Sequence, residues 1–317
     1  MDKNKLFVQI GISLIVILCL LAVSMSYLAF KDRDRAEEIT FKTEPLEYKV
    51  FIPKVPAKMD FCGEKVPLND IDVRERVERE LLVNTHWNSA TILILKRANR
   101  WFPVIEPILK KNDIPDDFKY MSVIESSLTN VTSPAGAVGF WQFMPASAKK
   151  YDLKISRDVD ERYNIEKSTQ AACDYLKEAH ERYGNWTMTA ASYNYGLNGV
   201  DRQIGRQKTE FYYNLYLNEE TYRFVARILA LKEIMQNPKK YGFDLQPDEL
   251  YKPIPTKKIV VNYEIKDLAD FAVKHGINYK ILKLVNPWLK DNNLPNKFRK
   301  KYVIQIPYKK DFIEDSQ

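Results

Sequence analysis

Glu125 is the carboxylate of this chain best placed for acid–base chemistry. It lies with Phe118, Met121 and Ile124 at helical spacing and precedes Ser126 and Ser127, where a helix should end. A carboxylate at the edge of an apolar face is a candidate for acid–base work. The same residue alone would be an ordinary solvated helix glutamate. Other elements must therefore gather around it. Ser133-Pro134-Ala135-Gly136-Ala137-Val138-Gly139 is a run of small residues that lets a bulky ligand approach the backbone. Phe140-Trp141-Gln142-Phe143-Met144-Pro145 sets rings around one amide and reads as a platform with a polar anchor. Ala191-Ser192-Tyr193-Asn194-Tyr195-Gly196 ends a helix in groups able to hydrogen-bond, or is simply a capped terminus.

Other chemistries have little support. The three histidines, His86, His180 and His275, lie in no motif, and the three cysteines, Cys19, Cys62 and Cys173, lack metal-ligand spacing. No metal and no cofactor is expected. Cys62 and Cys173 could pair in an oxidising compartment, but sequence alone does not bring them together. A net charge of +7 suits nucleic acid, anionic lipid or a carboxylate-bearing cell wall without choosing among them.

The elements that position these groups are read from periodicity and punctuation. Leu6 to Phe30 has 25 residues without a charge, long enough to cross a hydrocarbon layer of roughly 30 Å. Its length favours an uncleaved anchor over a secretory signal. Residues 31–75, with Pro45, Pro53, Pro56 and Pro67, read as an extended arm. A helical body is expected over residues 76–245. Asn88 or Ser89 would cap its second helix, and Pro115 would open the helix that carries Glu125. Further helices are read over Glu166 to Tyr183, Thr187 to Tyr195 and Glu219 to Met235. Residues 246–317 form a small α+β module, with strands at Ile259 to Val261 and Tyr302 to Ile306 and a helix from Leu268 to His275. The fold class is thus mainly α, with an N-terminal membrane helix and a C-terminal α+β module.

Glu125-Ser126, Gly139 through Pro145 and Ser192-Tyr193-Asn194 resemble, in order and spacing, three motifs of the family 1 lytic transglycosylases. Glu220-Thr221 with Val225 resembles the fourth, with Phe224 where a tyrosine is common. The resemblance spans about residues 95 to 237 and is most similar to the membrane-bound D type. Residues 260 to 307 are similar to a lysin motif, with Tyr263-Glu264-Ile265-Lys266 in place of its usual Gly-Asp.

This resemblance implies a lysozyme-like helical domain that cuts the bond between N-acetylmuramic acid and N-acetylglucosamine. Glu125, its proton held by burial among Phe140, Trp141 and Met144, would be acid and then base, with no second carboxylate and a 1,6-anhydro product. It implies Ser133, Gln142, Met144, Tyr193 and Asn194 as substrate-binding residues. It further implies peptidoglycan glycan strands as partner, no nucleic acid, and a membrane-anchored enzyme facing the periplasm. The competing readings are a muramidase that admits water, a non-catalytic wall-binding protein, and a nucleic-acid-binding membrane protein supported by charge and aromatics alone.

Overall fold

The computed structural model describes residues 16–29, 31 and 50–308. The chain divides into a unit ending at Phe51 and one beginning at Ile52. In the first, residues 16–29 are helical with exposed side chains. The expected membrane segment starts at Leu6, outside the described residues. Among the described residues no helix is long and apolar enough to cross a membrane.

The second unit opens with a short hairpin, β1 (Asp60–Phe61) against β2 (Glu64–Lys65). Eight helices follow: α1 (Ile71–His86), α2 (Asn88–Lys111), α3 (Lys119–Ser126), α4 (Pro145–Lys150), α5 (Ile165–Tyr183), α6 (Trp186–Tyr195), α7 (Leu197–Gln207) and α8 (Glu219–Gln236). The short α3 lies in the core. Tyr120, Met121, Ser122, Val123, Ile124 and Ser126 are all buried, and α8 packs on α3, α6 and α1. Burial on nearly every side fixes α3 against its neighbours, and with it the orientation of Glu125.

Side chains close most of these helices as their sequences suggest. Asp70, Asn164, Asn185 and Asn218 accept backbone N–H groups at the starts of α1, α5, α6 and α8. Gly184 ends α5 in the left-handed conformation. The expected Asn88 or Ser89 cap is not made. Trp87 alone separates α1 from α2 and serves as the C-cap of one and the N-cap of the other, so there is no room for a capping side chain. Pro115 precedes a 3₁₀ turn, Asp116–Phe118, which leads into α3. The unanticipated α7 starts at once after Gly196, which on the sequence reads only as a stop.

The segment expected as an extended arm does not remain extended after Asp60. Phe61, Val66 and Leu68 are buried in the same apolar cluster as α3 and α8. Glu64 accepts the Thr187 N–H at 2.9 Å, placing its carboxylate at the positive end of α6. Prolines rule out a long helix there but leave these four residues free to pack. Cys19, Cys62 and Cys173 are all free thiols, so Cys62 and Cys173 do not pair.

The C-terminal module is an antiparallel pair, β3 (Thr256–Val261) and β4 (Tyr302–Pro307), with Thr256 opposite Pro307 and Val261 opposite Tyr302. Two seven-residue helices, α9 (Leu268–Lys274) and α10 (Tyr279–Val285), pack with it. Short α10 has little periodicity, and its Asn278 cap is the signal that marks it. Leu268, Phe271, Leu282, Ile304 and Ile306 fill the module's core, joined by Val159 from the helical body.

Candidate active site

Glu125 occupies the penultimate position of α3. Ser127 ends the helix with φ 52°, donating its N–H to the Val123 carbonyl at 2.7 Å. The Ser126 hydroxyl contacts the Phe140 carbonyl at 3.0 Å and so ties the helix end to the aromatic run. Glu125 is half-buried. Burial raises its pKa to about 7; the guanidinium of Arg227 pulls it down, and the carboxylate of Glu220 pushes it up. Arg227 is held by donation from Nη2 to the Ile124 carbonyl at 3.1 Å. A neutral carboxyl and a nearby cation together suit a group that gives up a proton and must then carry charge briefly.

The small-residue loop folds as a compact double turn. Val138 bridges both Thr132 and Phe143, and Gly139 donates to the Val131 carbonyl at 2.9 Å. Gly139 has φ +82°, and a Cβ there would lie 2.2 Å from the Arg162 carbonyl oxygen, so only glycine fits. The Ser133 hydroxyl accepts the Ala137 N–H at 3.0 Å, leaving its own proton free to donate. Gln142, at φ 48°, turns its amide NH₂ back onto the carbonyls of Gly139 and Val131 at 2.8 and 3.2 Å. As placed, that NH₂ braces the loop.

The aromatic run does not form a ligand platform. Phe140, Trp141 and Phe143 are 2%, 0% and 3% exposed, so their faces are core, whereas Met144 is 42% exposed and adds little to the burial of the acid. The rings brace the loop from beneath. Trp141 donates Nε1–H to Thr169 at 2.9 Å, and Tyr193 donates its hydroxyl to the Trp141 carbonyl at 2.7 Å. Burial, and next the charge of Glu125, push the Tyr193 phenol well above its ordinary value, so it remains a donor.

Asn194 ties α6 to α8. Its amide donates to Glu220 at 2.9 Å and its carbonyl accepts the Thr221 hydroxyl at 2.6 Å. Beside this tie opens a cavity of about 570 Å³ lined by Tyr195, Gln203, Arg206, Tyr216 and Glu219. An apolar cavity between Leu95, Phe102, Tyr120 and Phe243 includes none of the candidate residues.

Two arginines escape motif reading. Arg227 lies seven residues after Glu220, hence on the same face of α8, and that spacing is the signal that could have found it. Arg162 donates Nη1 to the carbonyls of Gly136 and Phe143 at 3.0 and 3.1 Å. It comes from a separate turn, and no local pattern marks it.

Residues 103–215 match the transglycosylase SLT domain, and residues 257–310 match the soluble lytic transglycosylase C-terminal LysM-like domain. The membrane-bound lytic murein transglycosylase D of Escherichia coli K12 is 29% identical over 244 residues, 74% of this chain and 52% of the relative. The protein of the same name from Escherichia coli O6:H1 matches equally. A protein named for tributyltin chloride resistance in Alteromonas sp. (strain M-1) is 32% identical over 116 residues, 36% of this chain and 56% of the relative. The chain thus spans about half the length of the curated relatives it matches. It carries an SLT transglycosylase domain followed by the LysM-like domain of the soluble lytic transglycosylases, and it is homologous to membrane-bound lytic murein transglycosylase D.

Proposed function

We propose that this chain is a peptidoglycan lytic transglycosylase that cleaves the MurNAc-GlcNAc β-1,4 bond and leaves 1,6-anhydroMurNAc ends. The observation that carries this reading is the half-buried Glu125 carboxyl, raised to about 7 at the point where α3, the small-residue loop and α6 meet. Its proton passes to the glycosidic oxygen as the C1–O bond breaks, and the substrate acetamido group stabilises the cation. The resulting carboxylate, faced by Arg227, takes the C6 hydroxyl proton as that oxygen bonds to C1. No water is consumed. Ser133, Gln142 and Met144 hold the sugar along the loop, Tyr193 orients the loop and the acid through the Trp141 carbonyl, and Asn194 holds α8.

In this reading residues 76–245, together with the hairpin before them, form the catalytic domain, and 246–317 a LysM-like module. The apolar run Leu6 to Phe30 anchors the chain in the membrane with both domains in the periplasm. That places the catalytic domain beside the wall it cuts.

A hydrolytic muramidase is the second reading, favoured by Glu220, whose charge reaches Glu125 and which could direct a water. Digestion of purified sacculi followed by mass spectrometry separates the two. The anhydro product is lighter by one water than the hydrolytic one. Release of anhydromuropeptides by the wild type and none by Glu125→Gln is the expected result. Hydrated ends alone would establish the muramidase. No cleavage by the wild type would leave a wall-binding protein.

A further inference from the structure

The turn at residues 155–163 belongs to two structures at once. On one side it is built into the C-terminal module. Val159 is fully buried in the module's apolar cluster and bridges Leu289. Asp160 donates its N–H to the Trp288 carbonyl at 3.0 Å, and Lys290 donates to the Asp158 carbonyl at 2.8 Å. On the other side it grips the small-residue loop. Asp160 holds Arg162 through both carboxylate oxygens, Nε to Oδ1 at 3.0 Å and Nη2 to Oδ2 at 2.8 Å. The remaining guanidinium nitrogen, Nη1, reaches the carbonyls of Gly136 and Phe143. Both side chains of the pair are about nine-tenths buried. Tyr163 adds a second strut, its hydroxyl 2.8 Å from that of Thr132, with Lys290 of the module 4.1 Å above its ring.

We propose that Arg162 is a positioning residue for the glycan-binding loop, and that the C-terminal module acts in the reaction by holding Asp160, and through it Arg162, in register. In its catalytic part this rests on the transglycosylase reading. The chemistry favours this role over simple surface pairing. A planar guanidinium can satisfy a carboxylate bidentately and two carbonyls at once, whereas a lysine ammonium has neither the fork nor the reach. Neutralising either partner leaves the other charge buried beneath the loop. The loop must then shift, and with it Ser133, Gln142 and the Phe140-Trp141 wall beside Glu125.

The test uses the full chain and three variants, Arg162→Lys, Asp160→Asn and Val159→Ala, the last loosening only the module's grip on the turn. Hydrogen exchange is read at the amides of Ser133, Val138, Gly139 and Phe143, which are bonded within the loop. All three variants should exchange there about tenfold faster, with α8 amides unchanged. Against sacculi, Arg162→Lys and Asp160→Asn should lose about 10- to 100-fold in kcat/KM with KM raised. The basic limb of their pH profiles should also move to lower pH as water reaches Glu125, faced by Arg227, Glu220 and Tyr193. A merely structural role would lower the active fraction and leave KM and the pH limb in place. Unchanged loop exchange in folded variants, Val159→Ala included, overturns the proposal. If the wild type makes no anhydro ends, the transglycosylase reading fails, and the exchange arm still decides the coupling.

Discussion

Replacing Glu125 by Gln probes the site through stability as well as activity. Glu125 titrates near 7 in the folded chain against 4.5 ordinarily, so the folded state holds its proton more tightly than the unfolded state does. The stability this confers is fully present below pH 4.5 and is lost as pH rises through 7. At about 1.36 kcal/mol for each tenfold change in proton affinity, the rise from 4.5 to about 7 amounts to about 3 kcal/mol. That is an upper figure, because a half-buried carboxylate keeps some contact with water. Glutamine has nearly the same shape and no charge to bury. Glu125→Gln should therefore match wild type near pH 4 and exceed it above pH 8 by up to about 3 kcal/mol, or roughly 6–12 °C in Tm for a body of this size. The assay is thermal unfolding of both proteins from pH 4 to 9, read as the difference between them so that other titrating groups cancel. The same variant should release no anhydromuropeptides. A difference in Tm that stays flat with pH would refute the argument that burial holds this proton.

Three further outcomes follow from the same geometry. Removing the cation in Arg227→Met should raise the Glu125 pKa further and move the basic limb of cleavage to higher pH, which a kcat/KM profile on sacculi measures. Gly139→Ala should cost at least about 2 kcal/mol by denaturant unfolding, since its Cβ meets the Arg162 carbonyl at a φ that strains it. Asn194→Ala should cost about 1–3 kcal/mol by leaving the buried Thr221 hydroxyl unpaired. It should also release Glu220 from its place beside Glu125, so kcat/KM falls and the variant's basic limb lies at lower pH than the wild type's.

The local grammar of the chain was legible in its residues. Gly184, Pro238 and the stretch at Ser126-Ser127 punctuate helices because backbone conformation there depends on single residue types. Glu125, Gly139 through Pro145 and Tyr193-Asn194 stood out because their residue types, order and spacing resemble those of a known family. The α7 restart and the packed hairpin at Phe61 were not legible: one hides behind a stop signal, and the other depends on partners that lie from 55 to 172 residues away.

What the sequence determined by itself is which groups could do chemistry and the order of the elements that hold them. Whether Trp141 offers a face to a sugar or disappears into the core was decided only in three dimensions, because an aromatic run is equally suited to either. So was the company Glu125 keeps. Burial sets its proton affinity first, Arg227 and Glu220 adjust it from a helix about a hundred residues downstream, and Arg162 steadies the loop from a turn shared with the C-terminal module. Electrostatic influence and burial depend on distance in space, and spacing along the chain does not report it.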